Sequence, residues 1–167
     1  MHHARAVHRS SGFTLLEVLV SLIVLGIGLL GVAKLMLVST RTNDSAYLRT
    51  QALELANGIL DNMRANRATA LTGSYTVALG PYANPGVTCA VGSACSAAQL
   101  ALYDLYQWKT RLATPTGALP GGDGSVALAT VGNDTTATIT VQWNDAVAQS
   151  TLGSATPTMS ITLETVL

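Results

Sequence analysis

Apolar residues crowd the start of the chain and thin out beyond it. From Val18 to Ala33 no charge interrupts the run, and the next one is Lys34. At a rise of 1.5 Å per residue, a helix from Val18 to Ala33 reaches about 24 Å and one from Phe13 to Val38 about 39 Å, against a bilayer core of about 30 Å. Further on, Leu48, Ala52, Leu55, Ala56, Ile59 and Met63 recur every three or four positions, while Arg49, Asn57, Asn62 and Arg64 fall on other faces, an amphipathic pattern. No proline occurs between 13 and 80, so the two patterns predict one helix from about Thr14 to about Asn66, on the order of 80 Å long. Gly26, Gly28 and Gly31 each weaken it by about 1 kcal/mol relative to alanine and mark the place for bending. None is spaced as Gly-x-x-x-Gly, so a glycine-based helix dimer is not indicated.

From Thr72 to Ala94 the chain is rich in Gly, Pro, Asn and Ser, with one alternating piece, Tyr75 to Leu79, that reads as a short strand. Ser96-x-x-Gln99 has the spacing of a capping box. It opens a second helix with Ala98, Leu102, Leu105, Trp108 and Leu112 on one face and Pro115 beyond its end. Tyr103, Tyr106 and Trp108 invite a ligand-stacking role, but aromatics at helical spacing are more often core. Leu119-Pro-Gly-Gly-Asp-Gly124 is a turn and not a phosphate loop, since no lysine follows and no helix opens. Val126 to Val131, Thr136 to Trp143 and Met159 to Val166 read as strands by alternation and by Thr, Val and Ile content, with Asn133-Asp134 and Asn144-Asp145 as turn residues. The expected class is α+β: a long N-terminal helix, membrane-spanning in its first half, packed against an antiparallel sheet of about four strands.

Gly12-Phe13-Thr14-Leu15-Leu16-Glu17 places a small residue, an aromatic and one carboxylate at the head of the apolar run. A carboxylate inside or at the edge of a membrane costs roughly 2.5 to 3.5 kcal/mol, and such residues are usually functional. A secretory signal peptide puts its apolar stretch before the cleavage site, whereas here the small residue comes first and the stretch stays with the product. Thr14-x-x-Glu17 also has capping-box spacing, so Glu17 can satisfy backbone donors at the helix start as well. A plain signal anchor is the bland alternative.

A short basic leader ending in Gly, then Phe-Thr-Leu-Leu-Glu and an apolar helix, resembles the class III signal of type IV pilins and pseudopilins. The resemblance implies cleavage by a prepilin peptidase between Gly12 and Phe13, methylation of the new amino terminus, and an assembly role for Glu17. It also implies four segments: a leader over 1–12, a transmembrane half-helix over 13–38, an amphipathic half over 39–68 and a globular head over 69–167.

The composition fits one modest domain plus an anchor. Nine basic residues balance nine acidic ones, which leaves no electrostatic footprint for nucleic acid. His2, His3 and His8 all lie in the leader, so the processed chain has no histidine, the commonest general base and metal ligand. Asp104, Asp123, Asp134, Asp145 and Glu164 are scattered and read mostly as solvated or capping groups. No enzyme motif, metal site or cofactor is expected. Cys89 and Cys95 suit a small disulfide-closed loop on the exported side of a membrane; a two-thiolate metal site and a pair of free buried cysteines are the alternatives. Charge does not orient the span, because Arg5 and Arg9 face Lys34, Arg41 and Arg49 across it. The short leader, the cysteine pair and the resemblance favour the amino terminus inside and the head outside.

The second half narrows the resemblance. A cysteine just before Ala-Ala-Gln-Leu-Ala-Leu-Tyr-Asp-Leu-Tyr-Gln-Trp, then Leu-Pro-Gly-Gly-Asp-Gly and a strand ending Val-Gln-Trp-Asn-Asp, resembles the PilV family of minor type IV pilins. Asp104 and Trp108 fall in that family's helix pattern, and Val141, Trp143 and Asp145 in its late-strand pattern. Unlike in the major pilins, the cysteine pair is not near the carboxyl end, so their terminal receptor-binding loop is not carried over.

The resemblance implies a subunit that waits in the inner membrane, head in the periplasm, and then enters a pilus at the cell surface, supporting adhesion or twitching motility. Its implied partners are the prepilin peptidase, sibling minor pilins, the major pilin, the inner-membrane assembly platform, membrane lipid and a large tip adhesin. The methyl donor, S-adenosylmethionine, belongs to the peptidase. A minor pseudopilin of a type II secretion system and a membrane-anchored adhesin are the alternatives.

Overall fold

The computed structural model describes residues 12–89, 94–113, 118–146 and 158–167. The rest of the leader, the interior of the Cys89–Cys95 loop and Pro115 lie outside them. Helix α1 (Leu15–Ala65) is followed by α2 (Arg67–Leu71), α3 (Ala97–Ala113) and strands β1 (Asp123–Val131), β2 (Asp134–Asn144) and β3 (Thr158–Val166). The chain divides into two compact units, Met1–Thr40 and Arg41–Leu167, and the boundary falls within α1.

In the first unit, α1 continues through Gly26, Gly28 and Gly31. A Cβ at any of the three would meet nothing within 4 Å, so packing within the chain does not require glycine there. The hydroxyls of this stretch turn back onto the helix: Ser21 Oγ donates to the Glu17 carbonyl at 2.7 Å and Thr40 Oγ1 to that of Met36 at 3.0 Å. Such back-bonding satisfies a hydroxyl without water.

In the second unit, α1 buries Ala52, Ala56, Ile59, Leu60 and Met63, and Asn66 breaks the helix with φ −114° and ψ 42°. The Asn66 amide then donates to the Ala97 carbonyl at 2.7 Å, tying this break to the first turn of α3. The capping box forms in full: Ser96 N–H donates to Gln99 Oε1 at 2.9 Å, and Gln99 N–H to Ser96 Oγ at 3.2 Å. The buried face of α3 differs from the expected one. Ala98 and Leu102 are exposed, and Ala101 and Lys109 join Leu105, Trp108 and Leu112 inside. The reason is a charge pair: Lys109 is turned inward onto Asp123, and the helix is rotated with it.

The sheet is antiparallel in the order β1-β2-β3. Val131 pairs with Asp134 across a two-residue loop in which Gly132 takes φ 64°, the positive value favoured at the first position of such hairpins. Among the described residues the sheet has three strands. Tyr75–Leu79 adds to it only the isolated bridge Val77–Val126, because the chain turns at Gly80 (φ 114°) and enters a segment with Pro81 and Pro85. The inner face, Val126, Ala137, Ile139, Val141 and Trp143 with the half-buried Met159, Ile161 and Leu163, closes one core with α1 and α3. Cys89 and Cys95 are joined by a disulfide, Cα to Cα 5.6 Å, immediately before Ser96.

Candidate functional site

Gly12 and Phe13 precede the first helical turn, and Phe13 is 83% exposed. Thr14 caps α1 through its Oγ1, which accepts from Glu17 N–H at 3.3 Å; this is half of a capping box. Glu17 stands in the first turn, where the helix dipole favours an anion. It is the only acidic residue between Gly12 and Asn43. Its carboxylate has no partner among the described residues and borders a shallow cleft of about 340 Å³ with Phe13, Val18, Ser21 and Leu22. The large apolar side chains of this stretch, among them Leu15, Leu16, Val18, Leu22 and Leu37, are exposed. This stretch is long and apolar enough to cross a membrane.

The head is fastened by polar contacts that apolar periodicity does not reveal. Lys109, 5% exposed, donates to Asp123 Oδ1, to the Gly124 carbonyl at 2.7 Å and to the Ala78 carbonyl at 3.1 Å. Burial pushes the Asp123 carboxyl up, but the Lys109 hydrogen bond and charge and the N–H groups of Gly80 and Gly124 outweigh it and hold it below the usual carboxylate range. Tyr75 is fully buried and donates to Asp104 Oδ2 at 2.7 Å. Burial raises both groups; the Tyr75 bond partly offsets the rise at Asp104, and the same bond adds to it at Tyr75. Asp145, 5% exposed, accepts from Ser45 of α1 at 2.5 Å. Three of the five carboxylates expected to be solvated or capping are thus partners in these contacts. The signal available in the sequence was Lys109 itself, a lysine sharing the helix face of Leu105, Trp108 and Leu112.

Trp108 is buried and donates its indole N–H to the Leu55 carbonyl at 3.0 Å, so its ring belongs to the core, while Tyr103 and Tyr106 are half-buried. Among the described residues no group of three or more His, Cys, Asp or Glu side chains is placed to hold a metal ion.

A bare apolar helix with one acid near its start, continuing into a helix-on-sheet head, defines a membrane-anchored subunit of the pilin class. Two family models match the chain. One, Tt1218-like, described as type IV pilin Tt1218, covers residues 35–106, and the other, the prokaryotic N-terminal methylation motif, covers residues 7–33. No curated protein and no solved structure matches. The chain is thus similar to type IV pilins, a structural family, over residues 35–106, and carries a prokaryotic N-terminal methylation motif over residues 7–33.

Proposed function

We propose that this chain is a minor type IV pilin of the PilV kind, cut between Gly12 and Phe13 and methylated on Phe13 before it enters a pilus. The mature span then runs over 13–38, an amphipathic half over 39–68 and the head over 69–167. The head faces the periplasm until assembly carries it to the cell surface, where the filament serves adhesion or twitching motility. Its working partners are the prepilin peptidase, sibling and major pilins, the assembly platform and a tip adhesin. The pilin match over residues 35–106 favours a pilus over a secretion pseudopilus.

One observation carries this reading: Glu17 is the only acid between Gly12 and Asn43, in an exposed apolar stretch, and its carboxylate has no partner among the described residues. A carboxylate taken into an apolar filament interior needs a cation from another subunit, and the Phe13 amine freed by cleavage supplies one. Removing one member of such a buried pair costs about 3 to 5 kcal/mol.

Mass spectrometry of sheared filaments from strains with and without the peptidase tests it. A chain beginning at methylated Phe13, present in filaments and lost from them with Glu17→Gln, is expected. A chain beginning at Met1 in the peptidase-competent strain, or Glu17→Gln entering filaments as well as wild type, would overturn the reading.

A further inference from the structure

Tyr106, Lys109 and Thr110 share one face of α3, at spacings of three and four residues. With Gly80 and Tyr82 from the turn after Leu79, and Asp123 from the start of β1, they line a slot of about 400 Å³ in the head. Small-molecule sites usually span about 300 to 1,000 Å³. The walls are held in place by the chain itself. Gly80 N–H donates to Asp123 Oδ2 at 2.6 Å, Lys109 fastens the Ala78 carbonyl at 3.1 Å, and Tyr82 is half-buried against the core.

The polar groups of the slot are unevenly committed. All three Lys109 protons have acceptors within the chain, and Lys109 and Asp123 cancel in charge, so the slot offers no free cationic donor to an anion and no surplus carboxylate to a cation. Asp123 Oδ1 accepts from Lys109 and from Gly124 N–H, but Oδ2 accepts from Gly80 N–H alone, which leaves it room for one further donor. Ser21, Thr40 and Thr50 turn their hydroxyls back onto α1, whereas Thr110 does not do so on α3. The hydroxyls of Thr110, Tyr82 and Tyr106 make no hydrogen bond to the described residues, while Tyr75 and Trp108 spend their polar ends inside the head.

The geometry points to an uncharged pyranose sugar, the end of a glycan, as the ligand of this slot, with Tyr82 and Tyr106 against its apolar faces and Thr110 and Asp123 taking its hydroxyls. A pyranose joins C–H faces to a rim of hydroxyls that both donate and accept. It therefore suits aromatic rings set beside a carboxylate oxygen that only accepts and side-chain hydroxyls that do either. A proline-rich segment also lies well on aromatic rings, but its proline nitrogens carry no proton for Asp123 Oδ2. An amine would meet the Lys109 ammonium in the same slot. Every residue of the site belongs to the head, so the inference goes beyond the assembly reading and stands whether or not the chain is processed.

The test is a printed array of oligosaccharides ending in glucose, galactose, mannose, fucose or an N-acetylhexosamine, with sialylated glycans and decaproline alongside. It is probed with the full-length chain in a detergent that has no sugar head group, so that nothing competes for the slot. Binding to at least one uncharged glycan, unchanged by added salt, is expected. Tyr106→Ala should weaken it by about tenfold or more, and Tyr106→Phe and Thr110→Val by roughly fivefold each. The last two keep ring and volume, so they carry the test if Tyr106→Ala does not fold. Strongest binding to β-1,4-linked N-acetylglucosamine oligomers would assign the ligand to cell-wall glycan strands, and strongest binding to galactose- or mannose-ended glycans would assign it to the surface of another cell. No uncharged glycan bound, a preference for sialylated glycans or decaproline, or binding indifferent to all three substitutions would overturn the proposal.

Discussion

Lys109 and Asp123 meet in a direct ion pair between α3 and the first residue of β1, and the ammonium has an acceptor for each of its three protons. Replacing Lys109 with methionine keeps the side-chain volume but leaves Asp123 without its cation. The expected loss is about 3 kcal/mol, read as a lower urea midpoint for the full-length chain in detergent, with part recovered in the Lys109→Met, Asp123→Asn double variant. A loss below about 0.5 kcal/mol would mean that water already screens the pair.

The same pair sets the acid limit of the head. The folded Asp123 carboxyl titrates below its unfolded value of about 3.9, so the unfolded chain binds protons first. Its stabilisation is complete above about pH 4 and disappears as pH falls through the folded value. Asp123→Asn should therefore flatten the acid limb of a stability-against-pH profile; a limb of unchanged depth would assign it elsewhere. At the other end, the Tyr75 hydroxyl is raised, so its contribution holds up to about pH 10 and is lost above it.

Most of the scaffold was legible in local pattern. The Ser96 and Gln99 box, the span of α1 and the three long strands follow from spacing, alternation and turn residues that act within a few positions. The buried face of α3 was not, because its rotation depends on Asp123, a residue fourteen positions away whose carboxylate turns a lysine into an interior side chain. Asp145 was missed for the same reason, since its partner Ser45 lies a hundred residues earlier. The short strand at Tyr75–Leu79 failed because alternation alone cannot show where a sheet runs out of paired backbone. At the amino end Glu17 could be singled out from the sequence, because one acid in an apolar run stands out without any tertiary context.

Asp104 presents the opposite electrostatics to Asp123. Burial raises its carboxyl, so the ionised form opposes folding at neutral pH; its favourable contribution is present below about pH 4 and lost as pH rises through the folded value. Asp104→Asn retains an oxygen for the Tyr75 hydroxyl and should leave stability at pH 7 equal or higher. Asp104→Ala should lower it by about 1 to 3 kcal/mol, since Tyr75 then keeps only two long 3.4 Å contacts, donating to the Asn62 carbonyl and accepting from the Asn66 amide. Equal losses in both variants would show that the charge itself is needed.

Gly124 faces the indole. A Cβ there would stand 2.5 Å from Trp108 Cη2 and 2.9 Å from Leu112 Cδ1. Gly124→Ala should cost about 1 to 3 kcal/mol and red-shift the tryptophan emission as the ring is displaced. Gly58→Ala, with open space around its Cβ, should stabilise an isolated copy by up to about 1 kcal/mol. If both substitutions destabilise equally, steric room is not what separates the two sites.

The central strand β2 holds its neighbours on both sides only once Thr158–Val166 is present, roughly ninety residues after α1 ends at Ala65. During synthesis the greasy segment therefore leaves the ribosome long before the head can close, and for that interval the amphipathic half of α1 has no sheet to cover Ile59, Leu60 and Met63. Completion is governed by contacts far apart in sequence, which form slowly. The last strand acts as a clock, and a holding factor would be needed earliest and longest by the amphipathic half of the helix.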